Sequence, residues 1–254
     1  MNDGIERRRI LEVPVDCLDW PAALARAEAL LDSPKAGQAV LAVNPEKVMA
    51  ARNNPLLLTQ LEQAALLLPD GIGVVLAARL LGAQRMERVP GSEFMPALCE
   101  LAQRKGLSVF LFGGTERVNE KAAARLKAQF PRLVVAGRRN GYVEPANMDD
   151  LVRSINDSGA SILFLALGSP KQELWIAEFG PRLTVKICQG VGGTFDVIAG
   201  EVKRAPSLFR RFHLEWFYRL VTNPGRAKRQ ASLPKFAWLF LTEHLLGRGN
   251  HKLH

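Results

Sequence analysis

The chain has 254 residues, about half of them apolar, and a net charge of +9, which suits one large domain or one domain with an appendage. The opening MNDGIERRRI has no apolar segment behind its charges, and no run approaches the ~18 apolar residues of a membrane span, so neither a signal peptide nor a spanning helix is expected. Cys17, Cys99 and Cys188 are scattered without a CxxC pair, which excludes a zinc ribbon or disulfide scaffold and fits a reducing cytoplasm.

In chain order, DWPAALARAEALLD (19–32) has helical periodicity, and QAVLAV (38–43) is a short apolar strand. Asn44-Pro45-Glu46 follows it, with Asn44 a good N-cap and Pro45 at the first helical position. AALLLP (64–69) is a second strand, ending at Asp70-Gly71 and the helical GIGVVLAARLLG (71–82). ERVPGSEF then places Arg88 ahead of a glycine and the helix GSEFMPALCELAQRKG (91–106). LSVFLF (107–112), RLVVAG (132–137), SILFLAL (161–167) and TVKICQ (184–189) continue the strands. TERVNEKAAARLKAQF (115–130) and NMDDLVRSINDSG (147–159) supply helices between them. Repeated β-α units with short, apolar strands predict an α/β, Rossmann-like domain: a largely parallel sheet with helices on both faces.

Ligands of such sheets bind beyond the carboxyl ends of the strands. The residues there are Asn44, Asp70, Gly113-Gly114-Thr115, Gly168-Ser169-Pro170-Lys171-Gln172 and Gly190-Val191-Gly192-Gly193. Each has a plain structural reading: Asn44 and Asp70 as helix caps, Ser169-x-x-Gln172 as a capping box, Arg85 and Arg88 as solvated loop residues. Their gathering on one rim favours a site, with Arg88 a phosphate or sugar contact and Lys171, Gln172 and Glu173 a dense polar group before Trp175. No GK[ST] loop and no GxGxxG after a strand is present, so a nucleotide-binding oxidoreductase with a basic tail is the weaker reading. All four histidines lie beyond residue 200, so a general base in the body has to be a carboxylate, or less favourably Lys, Tyr or Cys. Asp70 is such a carboxylate. No Asp-x-Asp occurs, and no metal site or cofactor is expected.

The end of the chain is different. From Glu201 onward there are 11 Lys/Arg and 3 Asp/Glu, a net of +8, against 23 and 22, a net of +1, in the first 200 residues. We read residues 1–200 as the α/β domain and 201–254 as a basic, helical, aromatic-rich appendage. Trp216, Phe217, Trp238, Phe240 and Leu241 among the basic residues favour an anionic membrane surface over nucleic acid as its partner.

Taken together, VNPEKV, PDGIG, ERVPGSEF, LFGG, LGSPKQELW, GVGGTFDVIAGEVKRAP and EWFYRLVTNPGRAKR resemble the WecG/TagA/CpsF glycosyltransferase family over roughly residues 10–230. The resemblance implies inverting transfer of a sugar from a UDP donor to a polyprenyl-diphosphate-linked GlcNAc acceptor. It implies an enzyme peripheral to the inner face of the bacterial membrane, in cell-envelope polysaccharide synthesis. N-acetylmannosamine, or its uronic acid, is the first donor; glucose and glucuronate are the alternatives, and a homo-oligomer of the body is left open. By resemblance Asp70 is the base, Arg88 stands near the reacting groups, Asn44 and Gln172 are at the sugar, and Tyr142 and Asp196 near the uridine. In the appendage it points to Arg219, Arg226 and Arg229 as closing over the diphosphate. Ala42 departs from related chains that carry threonine there.

Overall fold

In the computed structural model, which describes residues 5–202, Phe209 and 232–250, the chain opens with an antiparallel hairpin, β1 (Arg7–Ile10) and β2 (Val13–Asp16). It was not foreseen, because four-residue strands carrying Arg7, Arg8, Arg9 and Pro14 show no apolar run. The helix α1 (Trp20–Asp32) follows, capped by Asp19, whose carboxylate accepts from Ala22 N. The β-α units come next: β3 (Gln38–Val43), α2 (Pro45–Arg52), α3 (Pro55–Gln63), β4 (Leu66–Pro69), α4 (Ile72–Leu80) and α5 (Gly91–Lys105). They continue with β5 (Ser108–Gly113), α6 (Glu116–Gln129), β6 (Val134–Arg139), α7 (Met148–Asp157) and β7 (Ile162–Ala166). The last are α8 (Lys171–Phe179), β8 (Ile187–Gly190) and α9 (Thr194–Ile198), and a further helix, α10, spans Ser232–Asn250.

Strands β3 to β8 form one parallel sheet in the order β4-β3-β8-β7-β5-β6, as the apolar runs predict. β3 has the predicted bounds; β8 begins three residues later than predicted, because Thr184 is held by Asn156 Oδ1 rather than by a neighbouring strand. Side chains alternate between two cores. Leu41, Leu67, Phe112 and Leu165 face α2, α3, α7 and α8, while Val40, Leu68, Leu111 and Phe164 face α1, α5, α6 and α9. Helices on both faces are what a parallel sheet with two buried surfaces requires.

The hairpin manages the open edge of this sheet. Asp16 Oδ2 accepts from Leu67 N of β4 at 2.8 Å, and Asp16 Oδ1 is paired with Arg7 Nε at 2.6 Å. Arg7 also donates to Ala64 O at 3.1 Å, so one ion pair meets both a donor and an acceptor beside the edge strand.

The helix α10 packs against α2, and its Phe236 and Phe240 are buried in the core that contains α2. Arg52 Nη1 and Glu243 Oε1 lock the two helices at 2.7 Å. Phe240, grouped from sequence with a lipid-facing surface, therefore points inward, while Trp238 and Leu241 are exposed. Among the described residues no helix is long and apolar enough to cross a membrane. Trp216, Phe217, Arg219, Arg226 and Arg229 lie outside the described residues.

Candidate active site

Because all six strands run parallel, their carboxyl ends share one rim. At its β4 end stands Asp70, whose N donates to Val43 O at 2.8 Å, which sets it beside Asn44 at the end of β3. The capping reading of Asp70 is corrected by this geometry. The N-cap of α4 is Gly71, which has no side chain to offer, and Asp70 lies one residue too early. Its Oδ2 instead accepts from Gly91 N at the start of α5, at 3.4 Å, and its Oδ1 lies 3.9 Å from Arg88 Nε. The side chains of Asp70 and Arg88 are 26% and 15% exposed, so both are sheltered yet reachable. A helix N-terminus and a guanidinium thus both face this carboxylate.

Gly91 is held from its other side as well: Gln189 Nε2, on the central strand β8, donates to Gly91 O at 3.2 Å. Gln189 is buried in the sheet, so the start of α5 is fixed between an edge-strand carboxylate and a central-strand amide.

Asn44 is the N-cap that the sequence predicts, its Oδ1 accepting from Lys47 N at 2.8 Å. Gln172 is not part of a capping box. The N-cap of α8 is Pro170, which places Ser169 one residue early and Gln172 at the second helical position. Its side chain crosses to the β8 turn instead, where Oε1 accepts from Gly192 N at 2.9 Å. Its Nε2 donates to Glu173 Oε1 at 3.0 Å, and that same oxygen pairs with Lys47 Nζ at 2.6 Å. Sequence reading missed Lys47 and passed over Glu173's role; a lysine and a glutamate one turn or less into helices give no signal of being buried. Burial by itself raises the Glu173 pKa, but the Lys47 charge and the hydrogen bonds from Lys47 and Gln172 outweigh it and lower the pKa. Glu173 is therefore ionised at neutral pH.

At the far end of the rim, Asn119 gathers the ends of β5 and β6. This fully buried amide of α6 donates to Leu111 O, Gly113 O and Arg139 O at 3.2, 2.9 and 3.0 Å. A Cβ on Gly113 would lie 2.5 Å from the Ala166 backbone, so β5 and β7 approach closely only because that residue is glycine. Gly141 N donates to Gly114 O, and Asn140 Oδ1 accepts from Tyr142 N, which presents Tyr142 at 77% exposure. Glu116 binds Asn140 and Arg138, which hold its carboxyl below the ordinary range.

The remaining sequence candidates spread along the same rim. Lys171 is exposed at the first position of α8, Gly192 has φ +55°, and Gly193 is the N-cap of α9, whose first turn carries Asp196. Glu201 N and Val202 N both donate to Asp196 O, while Lys121 and Arg117 hold the Glu201 carboxyl down to about 2. Thus Asp70 and Arg88 stand beside the Asn44 end of β3, and Asn44 connects through Lys47 and Glu173 to Gln172 and Gly192, while Gly113 and the Gly141–Tyr142 loop lie toward the other end. An open cleft of about 610 Å³ between β6 and α7 includes none of these residues. Among the described residues no group of three His, Cys, Asp or Glu could hold a metal ion.

The sequence matches the profile described as "Glycosyl transferase WecG/TagA/CpsF family" over residues 8–250. It is 39% identical over 200 residues to the N-acetylglucosaminyldiphosphoundecaprenol N-acetyl-beta-D-mannosaminyltransferase of Bacillus spizizenii strain W23, covering 79% of this chain and 77% of that one. It is 36% identical over 209 residues to the protein of the same description in Bacillus subtilis strain 168, covering 82% and 81%.

Proposed function

The chain belongs to the WecG/TagA/CpsF glycosyltransferase family, and on that basis we propose that it transfers N-acetylmannosamine to the GlcNAc of an N-acetylglucosaminyl-diphosphoundecaprenol acceptor. The donor is the UDP sugar. Asp70 takes the proton from the acceptor hydroxyl as that oxygen attacks the anomeric carbon, and UDP leaves from the opposite side. The observation that carries this reading is the placement of Asp70: a sheltered carboxylate held by Gly91 N and faced by Arg88, on the rim beside Asn44. Asn44 and the Gln172–Gly192 turn border the sugar, and the Gly113 and Tyr142 cluster, with Asp196, receives the uridine.

The departing diphosphate gains negative charge. With no Asp-x-Asp in the chain, arginines supply the neutralising charge, Arg88 from the body and Arg219, Arg226 and Arg229 from the appendage. The appendage also sits against the anionic inner face of the membrane, where its lipid-linked acceptor lies. The net charge of +8 beyond residue 200 and the exposed Trp238 and Leu241 support that placement.

The test is a panel of UDP sugars with a short-chain polyprenyl-diphosphate-GlcNAc acceptor, read by mass of the lipid product. UDP-N-acetylmannosamine should be consumed and its uronic acid, UDP-glucose and UDP-glucuronate should not. Preferential use of glucose or glucuronate would overturn the donor assignment.

A further inference from the structure

We propose that the buried Lys47–Glu173 ion pair is a positioning device that fixes the amide of Gln172 and, through it, the Gly192 turn. Its link to donor binding rests on the transferase reading above. Lys47 and Glu173 meet at 2.6 Å with side chains 6% and 0% exposed. Two charges withdrawn this far from water gain little net stability, and an apolar pair of similar volume commonly does as well or better. What the pair adds is direction.

Lys47 lies on α2, where its N is bound by the Asn44 cap, and Glu173 lies on α8, which follows β7. One oxygen, Glu173 Oε1, accepts from both Lys47 Nζ and Gln172 Nε2. An amide whose nitrogen faces a carboxylate must turn its oxygen away. The Gln172 oxygen accordingly meets Gly192 N at 2.9 Å. The flipped amide would set oxygen against carboxylate and NH₂ against N–H, so the anion excludes it. Glycine at position 190 leaves the room: a Cβ there would lie 2.5 Å from Gln172 Nε2. Asn44, Lys47, Glu173, Gln172 and Gly192 thus form one continuous chain of contacts joining the ends of β3, β7 and β8.

Two variants separate this role from a purely structural one. In Lys47→Met/Glu173→Met the apolar pair keeps Tm near wild type, but the Gln172 amide loses its acceptor. Exchange of the Gly192 amide, followed by NMR in the full-length protein, should accelerate, and kcat/KM for the UDP donor should fall about 100-fold. Glu173→Gln keeps an acceptor oxygen for Gln172 but leaves Lys47 without a counter-ion. Its Tm should fall, and with no anion left to exclude the flipped Gln172 amide, Gly192 exchange should accelerate as well. Gly192 protection that tracks Tm in both variants would overturn the proposal, as would an undisturbed Gly192 and full turnover in the double variant. A wild-type protein that transfers no sugar would instead defeat the transferase reading, and the exchange measurement would still judge the clamp.

Discussion

Asp70 illustrates why a residue type at a helix start does not by itself fix a role. An aspartate before a glycine and an apolar helix reads as a cap, yet the cap position falls on Gly71 and the carboxylate reaches Gly91 N of another helix. Base and cap are therefore separable by mutation. Asp70→Asn keeps an oxygen that can accept from Gly91 N, so the unfolding free energy should stay within about 1 kcal/mol of wild type. Turnover should fall on the order of 10²–10⁴-fold, the usual cost of removing a general base. Calorimetry and a transfer assay on the same preparation check both halves. Near-normal turnover would remove Asp70 from the chemistry. The position of Asp70 at a strand end on the rim was legible from the sequence, because a continuous apolar run stops just before it. The support from Gly91 and Gln189 was not, because it joins residues about a hundred positions apart across the sheet.

The elements show the same division. Strands β3, β4, β5 and β7 were legible because each is a continuous apolar run, buried on both faces of a parallel sheet. The β1–β2 hairpin was not: Ile10, Leu11, Val13 and Val15 are buried in the core, but Arg7, Arg8, Arg9 and Pro14 around them leave no apolar run to read. The helix α10 was read as part of an appendage, but its faces divide in a way composition cannot reveal. Phe236 and Phe240 are buried against the body, and Trp238 is 69% exposed. Phe240→Ala should cost about 3 kcal/mol of stability, at the low end for a buried phenylalanine because it lies near the surface. Trp238→Ala should leave Tm nearly unchanged and weaken flotation with anionic liposomes. Thermal melts and flotation on both variants measure this. Loss of flotation from Phe240→Ala alone, in protein that remains folded, would show that the faces have been assigned the wrong way round.

At the scale of the molecule, the topology accounts for a site assembled from distant segments. Parallel strands carry Asn44, Asp70, Gly113, Gln172 and Gly192 to one rim, and the helices that follow β3 and β8 lie on opposite faces of the sheet, the crossover point where ligands of such sheets bind. On the proposed assignment, with Asp70 as the base and the uridine held toward the Gly113 end, the reaction is a single in-line displacement. The direct measurement is the anomeric configuration of the disaccharide-lipid formed from α-configured UDP-N-acetylmannosamine and polyprenyl-diphosphate-GlcNAc, read by NMR of the product. One displacement driven by Asp70 predicts a β-linked N-acetylmannosamine in the first turnover. An α-linked product, or transfer of no N-acetylmannosamine at all, would contradict the account.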